Sequence, residues 1–431
     1  MSHYLPVSRS FSLLVLTVML VWASDAQSPT GPASGPKPSG KYVVGRTLLY
    51  CVDSHRTDPV AEDPNAKREF MVVVWYPAEP AASSSYAQWM PEPWVSSETD
   101  LLYYHRRHSD APFTRDEAEH AIHDPLSYSE ANVGIAKGGR SWPVLLFAPG
   151  AGVNTAFYST FTEDLASHGY VVFGIEPTGW VATTFPDGHK TPFSKKRSDE
   201  TAWITGTAFP LWAKDLRFTL DQIAGWNSDR NSLFFHRLDL TKVGAFGHSF
   251  GGTSSILAAL DDSRIKAVLN LDGSPFNVLT GRPFPKPLMV IKHDVSAQYV
   301  QLPPDEHGKA VQAQVEEELS SLYLKGSPGF RVDIADAQHM TFSDMAYLNT
   351  WADSGRRYGT HDAGDGTDTV ILIRDYIRAF FDNSLLGQAS PLLTSEHSPN
   401  GIATLRSTEE SRQPHSSTKS RIPVVLPATK K

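Results

Sequence analysis

Only one cysteine, Cys51, occurs among the 431 residues of the chain. A lone thiol excludes an internal disulfide and any cysteine-built zinc site. No motif surrounds it, so Cys51 reads as a packed strand residue rather than a nucleophile. Excess positive charge is also missing. Lys and Arg number 39 against 47 Asp and Glu, for a net charge of −8, which argues against nucleic acid as a partner. No N-x-[ST] glycosylation sequon is present. The apolar run Phe11–Trp22 is too short for a comfortable membrane span. It follows Arg9 and precedes the small residues Ala23-Ser24-Asp25-Ala26, the layout of a secretory signal over residues 1–26. A secreted protein is expected, with a retained signal anchor as the alternative.

What is present reads as one α/β catalytic domain between terminal segments. Residues 27–40 are rich in Pro, Ser and Gly and are expected to form a flexible leader. Residues 385–431 are rich in Ser, Thr, Pro and Lys and are expected to be a disordered tail. Between them, over residues 41–384, β-branched and apolar runs alternate with helical patterns. Strands are expected around Thr47–Val52, Phe70–Tyr76, Trp142–Phe147, Tyr170–Ile175, Val243–Phe246, Ile265–Leu271, Pro287–Lys292 and Gly329–Ile334. Helices are expected over Asp116–Ile122, Phe157–Ser167, Phe209–Ile223, Gln312–Leu324 and Thr369–Phe381. This β-α-β rhythm predicts a mostly parallel central sheet flanked by helices. Glu176–Ile204 interleaves aromatic and basic residues and reads as a loop over the C-terminal ends of the strands. Such a loop suits an anionic head group or a lipid surface, or is simply exposed.

The most informative stretch is Gly247-His248-Ser249-Phe250-Gly251, a match to G-x-S-x-G. An apolar strand precedes it and a helix through Ile256–Leu260 follows. In that setting the pattern is a nucleophile elbow, with the serine at a strained strand-to-helix corner and its hydroxyl projecting into a cleft. A serine hydroxyl needs a base, and the base an orienting carboxylate. On the α/β-hydrolase fold both follow the serine, acid before base. His293, His307, His339 and His361 are the candidate bases. His339 suits best, since it lies after the last expected strand and before the closing helix. For the acid, topology alone leaves Asp272 and Asp294 open. Ala148-Pro149-Gly150-Ala151-Gly152, after the Trp142–Phe147 strand, has the composition of a loop whose amides approach a substrate carbonyl.

Several of these stretches together resemble the platelet-activating-factor acetylhydrolases of the plasma and intracellular type II kind. Val74-Trp75-Tyr76-Pro77 with Trp89-Met90-Pro91 is similar to that family's early strand and W-x-P element. Phe147–Gly152 with Asp164-Leu165-Ala166-Ser167-His168-Gly169 is similar to its oxyanion loop and following helix. Gln338-His339-Met340-Thr341-Phe342-Ser343-Asp344 is similar to its histidine segment. The resemblance implies the α/β-hydrolase fold and a serine esterase acting on short-acyl phospholipids, without metal or cofactor. Asp272 stands at the family's spacing from the serine, so the resemblance makes it the acid. It also implies that the backbone amides of Ala151 and Phe250 form the oxyanion hole. Two departures fall near the substrate pocket. Pro149 replaces the family's oxyanion-loop histidine, and Glu176-Pro177-Thr178-Gly179 stands where the family carries His with Arg or Asp. Two rival expectations are a carboxylesterase or cutinase-like hydrolase of other esters, and a non-catalytic binding protein on the same fold.

Overall fold

The computed structural model describes residues 35–80, 86–106, 114–123, 126–137, 141–198, 200–274, 284–293, 329–335, 337–346 and 367–408. The expected signal peptide, the Gln312–Leu324 helix, Asp294, His307 and His361 lie outside the described residues.

Eleven strands form one sheet. In chain order they are β1 (Val43–Thr57), β2 (Lys67–Ala78), β3 (Tyr86–Gln88), β4 (Leu126–Ala131), β5 (Trp142–Ala148) and β6 (Val171–Ile175). The short pair β7 (Thr183–Thr184) and β8 (Lys190–Thr191) stands apart from the sheet. The sheet continues with β9 (Leu238–His248), β10 (Ile265–Leu271), β11 (Leu288–His293), β12 (Gly329–Ile334) and β13 (Ala403–Ser407). Their spatial order is β13-β12-β11-β10-β9-β5-β6-β2-β1-β4-β3. From β12 across to β6 every pairing is parallel. The first two strands join antiparallel, β6 to β2 and β2 to β1.

The parallel strands are apolar throughout because both faces are covered. Along β5, Leu145 and Phe147 enter one core while Val144 and Leu146 enter the other. The first core is closed by the helices Ser159–Ser167 and Thr367–Leu386. The second helix buries Val370, Ile373, Ile377 and Phe380 at helical spacing. The second core is closed by the helices Phe209–Ser228 and Phe250–Asp261. The helix Glu92–Arg106, not expected from the sequence, and the helix Arg115–His123 pack onto the first core through Trp94, Leu102 and Ile122. The architecture is the α/β-hydrolase fold. Among the described residues no helix is long and apolar enough to cross a membrane.

Both ends of the domain depart from the expected boundaries. Chain expected to be disordered from Leu385 is ordered to residue 408, with β13 pairing antiparallel to β12. The reason is an alternation hidden in polar composition: Ala403 and Leu405 face the core, while Thr404 and Arg406 do not. Residues 35–40, expected as leader, are also held. Ser39 bonds Asp164 through its N–H at 2.7 Å, Gly40 N–H donates to Ser167 Oγ at 2.9 Å, and Arg374 donates to the Lys37 carbonyl at 3.0 Å.

Candidate active site

The C-terminal ends of β9, β10, β11 and β5 converge on one place. At the end of β9, Ser249 has φ 53° and ψ −117°, a conformation costly for a residue with a Cβ. It turns strand directly into helix. The turn closes only because the following residues are glycines. A Cβ on Gly251 would overlap the carbonyls of Ala148 and Pro149, and one on Gly252 would overlap the Asn270 side chain. The elbow and the loop after β5 are thus in backbone contact.

Asp272 follows β10 and is also left-handed, at φ 54°. Asn270 secures that turn by accepting from Gly273 N–H at 2.8 Å and donating to the Gly273 carbonyl at 2.9 Å. Asp272 N–H donates to the Ile291 carbonyl and Ser249 N–H to the Leu271 carbonyl, both at 2.8 Å. These bonds tie the two corners into the sheet.

His339 opens the short 3₁₀ turn His339–Phe342 after β12. Gln338 N–H donates to Thr341 Oγ1 at 2.9 Å, which fixes the entry to that turn. His339 lies between the other two residues, with Nε2 2.9 Å from Ser249 Oγ and Nδ1 2.6 Å from Asp272 Oδ2. Burial alone would raise the Asp272 carboxyl. The imidazoles of His293 and His339 overcome that and hold it well below the usual carboxylate range. An ionised carboxylate only accepts, so His339 Nδ1 carries the hydrogen and Nε2 offers its lone pair to the serine hydroxyl. This is the protonation pattern that general-base activation of a serine requires.

Among the described residues, neither Ala151 N–H nor Phe250 N–H has a protein acceptor. Both residues are half-buried, and Phe250 directly follows Ser249 in the chain. The preceding amide, Gly150 N–H, is occupied by Tyr158 Oη at 2.9 Å. Glu176 anchors the far end of the same loop by accepting from Thr155 N–H at 3.1 Å and Thr155 Oγ1 at 2.6 Å. Burial pushes the Glu176 carboxyl up to about 8, against these two bonds and with Glu98 adding to the rise. Glu98, on the helix Glu92–Arg106, is itself pushed up to about 7 by burial.

Four residues of this site carry no signal in the motif reading. His293, one of the four candidate bases, stands instead behind the acid. It bonds Asp272 Oδ2 through Nδ1 at 2.7 Å and Oδ1 through its backbone N–H at 3.3 Å. His248, inside the elbow motif, is buried with its ring 4.5 Å from that of His339. Burial first, and then the neighbouring His339, holds it well below the usual imidazole range, so it is neutral. Tyr158 accepts from Gly150, which leaves its own hydrogen for His248 Nδ1 at 2.8 Å. Asn270 is the fourth, and its partner Gly273 is close by in the chain. The contacts of His293 with Asp272 and of Tyr158 with His248 join residues distant in sequence, so no local pattern marks them.

From the Glu176–Ile204 segment, Trp180 is buried against Phe250 at 6.1 Å and Trp212 at 5.3 Å. That tryptophan is a wall of the elbow rather than an exposed lipid contact. Among the described residues no group of three or more His, Cys, Asp or Glu is arranged to hold a metal ion.

Comparison with known proteins agrees with the fold and chemistry. The family described as platelet-activating factor acetylhydrolase, isoform II, matches residues 30–205. That span holds the loop Ala148–Gly152 but ends before the elbow. A probable 1-alkyl-2-acetylglycerophosphocholine esterase of Arthroderma benhamiae is 24% identical over 298 residues, 63% of this chain and 69% of its own length. The platelet-activating factor acetylhydrolase of Canis lupus familiaris is 23% identical, covering 63% of this chain and 64% of its own. That of Cavia porcellus is 26% identical over 71% of each. Among solved structures, a ferulic acid esterase from Streptomyces cinnamoneus superposes with a TM-score of 0.67 at 26% identity, covering 86% of this chain and 98% of its own. The resemblance read from the motifs holds. The chain is a carboxylic ester hydrolase of the α/β-hydrolase fold, similar to the platelet-activating factor acetylhydrolases.

Proposed function

We propose that this ester hydrolase removes the short acyl chain of platelet-activating-factor-like phospholipids through an acyl-enzyme on Ser249. The observation that carries the mechanism is the unbroken contact chain from Ser249 Oγ through His339 to Asp272, at 2.9 and 2.6 Å. Ser249 Oγ attacks the ester carbonyl while His339 Nε2 takes its proton. The resulting imidazolium is stabilised by Asp272 through Nδ1–H. The Ala151 and Phe250 amides receive the oxyanion, each worth about 3 kcal/mol where such donors have been removed singly. His339 returns the proton to the leaving alcohol, and a water activated by the same imidazole releases the acid. The substrate class rests on the family match and on relatives named for that phospholipid esterase activity. The apolar run near the N-terminus supports action outside the cell, where a lipid surface would present the substrate.

A second reading is favoured by two observations. Pro149 stands in place of a family histidine, and Glu176-Pro177-Thr178-Gly179 where the family carries His with Arg or Asp. In addition, the ferulic acid esterase superposes over nearly its whole length. Both suit an ester of a different acid.

The test is hydrolysis of short-acyl and long-acyl phospholipids, p-nitrophenyl esters and feruloyl esters by the purified protein, with Ser249→Ala as control. Cleavage of short-acyl phospholipid that is lost in Ser249→Ala upholds the first reading. Cleavage of the simple or feruloyl esters alone overturns the phospholipid assignment and keeps the mechanism. Full activity in Ser249→Ala removes the mechanism. No cleavage of any ester leaves a binding role on this fold.

A further inference from the structure

Two histidines, not one, hold the carboxylate behind the serine. Asp272 Oδ2 accepts from His339 Nδ1 at 2.6 Å and from His293 Nδ1 at 2.7 Å, and Oδ1 accepts from the His293 backbone N–H at 3.3 Å. A carboxylate oxygen has two lone pairs, so the two imidazoles occupy Oδ2 between them. Of these bonds to Asp272, His293 supplies more than the base does.

We infer that His293 is a positioning residue for the ester hydrolysis: it sets the rotation of the Asp272 carboxylate and moderates the basicity of His339 by sharing the same oxygen. The inference rests on the assignment of Ser249, His339 and Asp272 as the reacting triad.

The fold puts His293 there for a simple reason. It is the last residue of β11, parallel to both β10 and β12, so its side chain emerges beside the turn that carries Asp272. Strand alternation sends the preceding Lys292 to the opposite face of the sheet. The ladder partner of His293 on β12 is the apolar Ile334. Among the described residues, the titratable groups gathered around Asp272 are therefore His293 from β11, His339 from the turn after β12, and the neutral His248 from β9.

The electrostatic consequence has a definite sign. One negative charge serves two imidazoles. A hydrogen bond from His293 spreads that charge, and a proton on His293 would compete for it outright. Both effects make the His339 imidazolium less favourable, so His293 keeps the base less basic than an undivided carboxylate would make it. Removing His293 should raise the pH at which His339 is lost as a base.

The measurement is the pH dependence of kcat/KM for p-nitrophenyl acetate, whose acid limb reports ionisation in the free enzyme. Wild type, His293→Phe, His293→Asn and Ser249→Ala are compared. Phenylalanine removes both the donor and the ionisable group. Asparagine keeps an N–H near the place of Nδ1 but cannot take a charge. The acid limb is expected to move to higher pH in both variants, by about half a unit to one unit in His293→Phe and by less in His293→Asn. The plateau is expected to fall by less than about tenfold. Acid limbs that superpose on the wild type overturn the inference, whatever happens to the plateau or to stability, because a packing role alone would not shift the limb. If His293→Phe does not fold, His293→Asn decides. Retained activity in Ser249→Ala is a different failure, that of the triad assignment.

Discussion

Replacing Tyr158 by phenylalanine removes one oxygen from the most constrained part of the site. That hydroxyl accepts from Gly150 N–H at 2.9 Å and donates to His248 Nδ1 at 2.8 Å, with the side chain fully buried. The variant keeps the ring contacts with Phe147 at 4.9 Å and His248 at 5.7 Å, so no cavity opens. What remains is a buried amide and a buried imidazole nitrogen, each without its partner. An unpaired buried polar group costs about 1–3 kcal/mol, so the two together are expected to cost about 2–6 kcal/mol. That is a fall of roughly 3–8 °C in Tm for a domain of this size. Activity should fall for a separate reason. Gly150 is bonded to Ala151, the proposed oxyanion donor, and a freed Gly150 lets that amide drift. Losing an oxyanion donor outright costs about 100- to 1000-fold in kcat. Here Val153 N–H still bonds the Gly150 carbonyl at 3.2 Å and Gly251 still abuts the loop, so only part of that loss is expected, about 10- to 50-fold in kcat. Burial raises the Tyr158 hydroxyl above its ordinary range, so it stays protonated and the variant should keep the wild-type pH profile. The assays are thermal denaturation and steady-state kinetics on p-nitrophenyl acetate. A variant with unchanged Tm and a kcat within about twofold of wild type would refute the reasoning, since both unpaired groups would then have found partners without moving the loop.

Other perturbations have equally definite directions. Asp272→Asn can offer His339 an N–H where an acceptor is needed, and kcat on the same ester should fall by about four orders of magnitude. Glu176→Gln tests the raised carboxyl that accepts from Thr155. Because its folded pKa is raised to about 8, the contribution of Glu176 to stability should be fully present below the unfolded value of about 4.3 and be lost as pH rises through 8. The glutamine variant should flatten that decline and be the more stable protein at pH 8, by on the order of a few kcal/mol in urea denaturation. A variant no more stable than wild type at pH 8 would count against a buried neutral Glu176. Arg68→Ala removes the guanidinium that bonds Asp58 at 3.0 Å and Asp215 at 2.7 Å, all three buried. It should lower stability by about 3 kcal/mol, because two carboxylates are left in the core with Arg56 alone beside Asp215.

Much of the fold can be read along the chain because its cause is local. Apolar runs such as Val144-Leu145-Leu146-Phe147 are buried on both faces, and that alone marks parallel central strands. The elbow is equally legible, since glycines are required where backbone meets backbone at Gly247 and Gly251. The chain order of acid and base narrows the histidines, because His339 has the place between the last parallel strand and the closing helix that this order demands. Local reasoning fails where the cause is distant. Ala403 and Leu405 make a strand only because the edge of β12 is there to pair with, and their polar neighbours disguise them. Topology alone left Asp272 and Asp294 open as the acid. The contact that His339 makes is with Asp272, because a left-handed turn stapled by Asn270 aims that carboxylate under the imidazole. Nor does any spacing bring His293 to that carboxylate, or Tyr158 between Gly150 and His248. Those contacts join the ends of strands far apart in sequence, and only the parallel packing of β5, β9, β10 and β11 sets them side by side.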